Sequence, residues 1–148
     1  MHSVLIVEDE KHLAAGLCYN LKAEGFDVEA VGTGEEALAL LNDDRKAFDV
    51  MVLDASLGSI GALELLRRLR GHSDRAAANE RTDIPIVMIA ASTSELDPML
   101  AKRYGADGVI LAPIELERLA TDLTRVLTAW RASHPGRQWA DEAALGTR

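Results

Sequence analysis

The chain has 148 residues, 27% charged and 48% hydrophobic, with 24 acidic against 16 basic side chains and a formal charge of −8. That length and apolar share fit one folded domain and exclude a disordered chain, and a single cysteine, Cys18, excludes a disulfide framework or a cysteine-based zinc site. Residues 1–44 hold ten acids against two bases and the remainder is balanced, which argues against direct nucleic-acid binding.

Short apolar runs alternate with helix-period segments. Val4–Val7 reads as a strand, followed by a helix striped by Leu13, Leu17 and Leu21 and stopped at Gly25. Val28–Val31 is the second strand, and Thr33-x-x-Glu36 is a capping box opening a helix over Ala37–Leu41. Val50–Leu53 is the third strand. Leu63, Leu66 and Leu69 then stripe a helix whose arginines, Arg67, Arg68 and Arg70, are expected on a solvated face.

Gly71–Asp83 is polar and long for a connection, so a loop is expected before the strand Ile86–Ala91. Asp97-Pro98 is a cap followed by proline at the first helical position, and Gly105 ends that helix. Val109–Leu111 is the fifth strand, and residues from Leu116 to Trp130 form the last helix. Cys18 is expected as a small buried hydrophobe, and the histidines at surface positions. Arg131–Arg148 reads as a tail or linker after a domain of residues 1–130. No apolar run approaches the roughly 20 residues a membrane span needs, and the N-terminus runs into acids with no basic segment, so a cytoplasmic protein is expected.

Five strand–helix units in succession give an α/β fold, a three-layer doubly wound sandwich around a parallel sheet. Ligands of such sheets bind beyond the carboxyl ends of the strands. Glu8 and Asp9 stand there after the first strand and Asp54 after the third. Three carboxylates converging there repel one another unless a hard cation such as Mg²⁺ intervenes. The alternative is that Glu8-Asp9-Glu10 is a solvated acidic loop.

Val4–Glu10, Phe48–Asp54, Ile84–Ile89 and Gly105–Gly108 together resemble the receiver domains of two-component response regulators, over roughly residues 3–130. The resemblance implies a flavodoxin-like five-stranded sheet in the order 2-1-3-4-5. It implies Asp54 as the phosphoacceptor, and Mg²⁺ held by Glu8, Asp9, Asp54 and the backbone carbonyl of Ser56. The implied partners are a histidine kinase or phosphotransfer protein, then a downstream protein partner or a second copy of the chain, with neither nucleic acid nor membrane bound directly.

Six positions depart from the family pattern, with five expected side chains missing. Ala90 stands where a Thr or Ser hydrogen-bonds the phosphoryl group, Ala112 where a Lys pairs with it, and Val109 where an aromatic switch residue sits. Gly58 replaces a proline, and Gly61-Ala62 an Asp-Gly pair. Ser92 lies two residues past Ala90 and is either a substitute donor or part of a loop and cap. The Ala112-Pro113 bond is open between cis and trans. The expectation is an atypical signalling receiver, not an enzyme. A phosphorylation-independent pseudo-receiver used for docking or dimerisation is the second reading. A Mg²⁺-dependent phosphatase is the third, and it lacks a general acid or cationic clamp near Asp54.

Overall fold

The inner strands of the sheet are apolar on both faces, because each face meets helices, whereas the edge strand carrying Asp27 and Glu29 is partly exposed. The strands are β1 (Ser3–Val7), β2 (Asp27–Val31), β3 (Val50–Asp54), β4 (Ile86–Ala91) and β5 (Gly108–Ala112). The helices are α1 (Lys11–Ala23), α2 (Gly34–Leu41), α3 (Ala62–Leu69), α4 (Pro98–Arg103) and α5 (Leu116–Ser133). The structure is a computed structural model and describes residues 2–43, 45–58, 61–71, 83–91 and 98–135. All neighbouring strands pair in parallel, in the order β2-β1-β3-β4-β5, as the resemblance implies.

Alternate residues of each strand point to opposite faces, so the sheet separates two cores. Leu5, Val7, Met51, Leu53, Ile86 and Met88 pack beneath α2, α3 and α4, against Leu38, Leu65, Leu66, Leu69 and Ala101. Val4, Ile6, Val50, Val52, Val87 and Ile89 face α1 and α5, against Leu17, Leu21, Leu119, Leu123, Leu127 and Trp130. Fully burying one such side chain contributes roughly 1.5–3 kcal/mol, and this offsets the entropy of ordering the strands. The strand order reverses between β2-β1 and β3-β4-β5, so a crevice opens at the carboxyl ends of β1 and β3.

The helix ends follow the sequence signals closely. Gly25, with φ of 95°, follows the cap of α1. The Thr33 hydroxyl accepts from the Glu36 N–H at 3.1 Å and donates to the Glu36 carboxylate at 3.1 Å, so α2 opens at Gly34, three residues before Ala37. α5 continues past Trp130 to Ser133, and the Trp130 ring stacks on His134 with centroids 3.6 Å apart.

Two expectations are corrected. Cys18 is half-buried, packed at the edge of the α1–α5 core, and burial pushes its thiol up. The three arginines do not share a solvated face. Arg67 lies 5.5 Å above the centre of the Tyr104 ring, and Arg70, 13% exposed, turns inward to acceptors in the α4–β5 turn. The Ala112-Pro113 peptide is cis. Among the described residues no helix is long and apolar enough to cross a membrane. Residues 72–82 of the long polar connection, Ser92 to Ser94, the Asp97 cap and the tail from residue 136, with Trp139, lie outside the described residues.

Candidate functional site

Glu8 follows the last residue of β1, and its N–H still donates to the Val31 carbonyl at 3.0 Å, as a continuation of the β1–β2 ladder. Asp54 is the last residue of β3. β1 and β3 are neighbours in parallel register, with Val7 opposite Leu53, so both acids emerge at the same edge side by side. Asp9 follows in the turn into α1. One carboxylate oxygen from each of Glu8, Asp9 and Asp54 can be chosen so that all lie within 4.8 Å of one another.

The acidic triplet after β1 therefore divides by role. Glu8 is 3% exposed, Asp9 is exposed, and Glu10 faces away to cap α1. The Glu10 carboxylate accepts from the His12 N–H at 3.1 Å and from the Leu13 N–H at 2.7 Å, and these donors hold its carboxyl below the usual range. Glutamate is not a favoured N-cap, so spacing alone did not separate Glu10 from its two neighbours.

Each of the three clustered acids is gripped by a backbone N–H. The Glu10 N–H donates to Glu8 Oε1 at 3.1 Å. Both the N–H and the hydroxyl of Ser56 donate to Asp54 Oδ1 at 2.9 Å. The Gly58 N–H donates to Asp9 Oδ2 at 3.3 Å. Such donors leave no trace in residue type, so sequence reasoning did not find them.

Glu8 Oε2 is buried, and among the described residues no N–H or hydroxyl donor reaches it. Burial, followed by the hydrogen bond to the Asp54 carboxyl and the repulsion of Asp54 and Asp9, raises the Glu8 carboxyl from 4.5 to about 8. Glu8 therefore holds its proton more tightly than an ordinary carboxyl when nothing else neutralises the cluster. A buried oxygen without a donor, next to two further carboxylates, fits a hard divalent cation that prefers oxygen ligands.

Among the described residues, the neighbouring strand ends offer little else. Ala90 is 2% exposed, and Ala91 pairs with Ala112 at the same edge of the sheet. Val109 is half-buried against the α2–α3–α4 core, while Leu111 is 53% exposed. Neither alanine side chain can donate a hydrogen bond or carry charge toward Asp54.

Residues 4–124 match the family model described as the response regulator receiver domain. The chain is 34% identical over 127 residues to the sensory transduction protein RegX3 of Mycolicibacterium smegmatis, covering 86% of this chain and 51% of that protein. It is 33% identical over 132 residues to the phosphate regulon transcriptional regulatory protein PhoB of Rhizobium meliloti, covering 89% and 53%. It thus spans about half the length of these curated relatives. Among solved structures, the chemotaxis response regulator CheY4 of Vibrio cholerae superposes with a TM-score of 0.71 at 28% identity, over 85% of this chain and 98% of that one. The fold, the sheet order and the sequence match agree, and the chain belongs to the response regulator receiver domain family of two-component signalling.

Proposed function

We propose that Asp54 accepts a phosphoryl group from a histidine kinase or phosphotransfer protein, with Mg²⁺ held by Glu8, Asp9, Asp54 and the Ser56 carbonyl. The observation that carries this reading is the meeting of one carboxylate oxygen from each of Glu8, Asp9 and Asp54 within 4.8 Å, beside a buried Glu8 Oε2 that no donor among the described residues reaches. The cation would neutralise the acids and screen the phosphoryl oxygens from Asp54.

In the transfer, a carboxylate oxygen of Asp54 attacks phosphorus and forms an acyl phosphate. The P–N bond of the phosphohistidine breaks, its electron pair stays on nitrogen, and the ring, protonated at its other nitrogen, leaves as neutral imidazole. Asp54 is half-buried at the strand end, open to a donor that approaches from above the sheet edge. The Ser56 donors fix Oδ1 and so set which way the carboxylate faces.

The output is contact with protein partners. With Ala90 and Ala112 in place of a hydroxyl and a cation, the phosphoryl group gains few contacts that differ between two conformations. Phosphorylation therefore shifts the equilibrium only weakly. The test is incubation with Mg²⁺ and acetyl phosphate or phosphoramidate, followed by intact mass. An added phosphoryl mass that Asp54→Asn abolishes is expected, and no adduct in the unmodified chain overturns the reading.

A further inference from the structure

We propose that the backbone N–H of Gly58 is a positioning donor for Asp9, holding its carboxylate ready for a cation. The inference rests on the cation-binding reading above but concerns one contact within the chain.

The three clustered acids differ in how they are held. Glu8 and Asp54 are each fixed by the N–H two residues further along their own segment, so their local turns suffice. Asp9 is exposed, and its recorded donor comes from another part of the chain, 49 positions away, in the loop after β3. The contact therefore ties the β1–α1 turn to the loop after β3. It orients the most exposed of the three carboxylates toward the other two.

Position 58 suits the task because it is not proline and its backbone passes close to Asp9. A Cβ added there would stand 3.7 Å from Asp9 Oδ2, so the backbone already lies against the carboxylate. The loop is anchored on both sides: the Leu57 N–H donates to the Asp54 carbonyl at 3.2 Å, and the Gly61 N–H donates to the Gly58 carbonyl at 3.0 Å. A proline at 58 would have no N–H to offer, whereas any other residue keeps the donor. An N–H aimed at a carboxylate acts as a fixed partial positive charge.

Asp9 is thereby prepared for a cation before one arrives, and less ordering remains to be done on binding.

The test compares Gly58→Pro with Gly58→Ala. The first removes the donor, and the second keeps it with a Cβ at ordinary contact distance. Mg²⁺ titration calorimetry at fixed pH is expected to show a dissociation constant raised about tenfold in the proline variant and within about twofold of the parent in the alanine variant. Equal affinity in all three proteins overturns the proposal. So does an equal loss in both variants, which would make loop shape the cause.

A second measurement is independent of metal and of any fold defect in the variants. The Gly58 amide proton resonance, followed by NMR in the parent chain without Mg²⁺, is expected to move upfield in Asp9→Ala, and an unmoved resonance overturns the contact. If the parent binds no Mg²⁺ while this shift occurs, the cation reading fails and the Gly58–Asp9 contact stands.

Discussion

Arg70, the residue that closes α3, donates from Nη2 to Asp107 Oδ2 at 2.8 Å, in front of β5 and 37 positions further along the chain. The same oxygen of Asp107 accepts from the Ile86 N–H at 2.8 Å, where β4 begins. Arg70 Nε also donates to the Gly105 carbonyl at 3.0 Å. One guanidinium thus joins the end of α3, the turn after α4 and the starts of β4 and β5. Burial lowers the Arg70 guanidinium and raises the Asp107 carboxyl, which shows how far both groups are withdrawn from water.

Removing this guanidinium takes one donor from the Gly105 carbonyl and one from the partly exposed Asp107 carboxylate, which keeps the Ile86 N–H. Arg70→Ala is expected to destabilise the domain by about 2 kcal/mol, read as a lower urea midpoint with unchanged slope. Gly105→Ala attacks the same junction from the other side. Its φ is 114°, and an added Cβ would run into Arg70 Cγ. A cost of at least about 1–2 kcal/mol is expected from the left-handed backbone alone. Unfolding midpoints equal to the parent's in both variants would remove the junction from any account of stability.

That junction also marks where sequence reasoning stops. Val4–Val7 and Val50–Leu53 announce buried parallel strands by their content. Glu8, Asp9 and Asp54 are placed by the strand ends those runs define. Contacts within a few residues, such as Thr33 with Glu36, are equally legible because spacing encodes them. Arg70 with Asp107 joins remote positions through tertiary packing, and a helix-surface pattern of arginines looks the same whether one of them turns inward or not. The Ser56 and Gly58 amides are invisible for another reason: every residue but proline carries an N–H.

Glu8 gives the pH dependence. Its carboxyl stands at about 8 in the folded, metal-free chain against 4.5 ordinarily, so between those values the folded state binds more protons than the unfolded one. Stability is therefore fully present below the lower value and falls as pH rises toward 8. The melting temperature in EDTA is expected to drop across this window, and Glu8→Gln to flatten the drop. With Mg²⁺ bound, Glu8 is ionised in the folded state too, so the drop should disappear and Mg²⁺ affinity should climb with pH by up to tenfold per unit. A metal-free melting curve indifferent to pH between 5 and 8 would contradict the burial of an ionisable Glu8.

Ser56 modulates Asp54 from the opposite side. Its hydroxyl and N–H both donate to Oδ1, and donors on a carboxylate reduce the electron density available for attack on phosphorus. Ser56→Ala removes the hydroxyl and keeps the amide. Because Ser56 is exposed, a weak bond is lost, and phosphoryl uptake from acetyl phosphate is expected to speed up by about two- to fivefold. A slower rate would mean that the hydroxyl helps to orient Asp54 for attack.

The position before the cis proline offers the sharpest test of how the pocket handles charge. Ala112 ends β5 opposite Ala91, and a lysine there has a four-carbon stem long enough to reach toward the carboxyl ends of β3 and β4. In Ala112→Lys a fixed cation would share the acids with the metal. Mg²⁺ affinity is then expected to weaken severalfold, because two cations compete for one cluster, and the Glu8 carboxyl should fall toward its ordinary value. Phosphoryl uptake at saturating Mg²⁺ should rise about tenfold, the worth of one charge-assisted hydrogen bond near 1.4 kcal/mol to the transferring group. Uptake rises while the other two readouts fall, so a general loss of structure cannot imitate the set. If uptake rises while Mg²⁺ affinity stays at the parent's value, the lysine reaches the phosphoryl group without meeting the acids, and the three carboxylates do not act as one electrostatic unit.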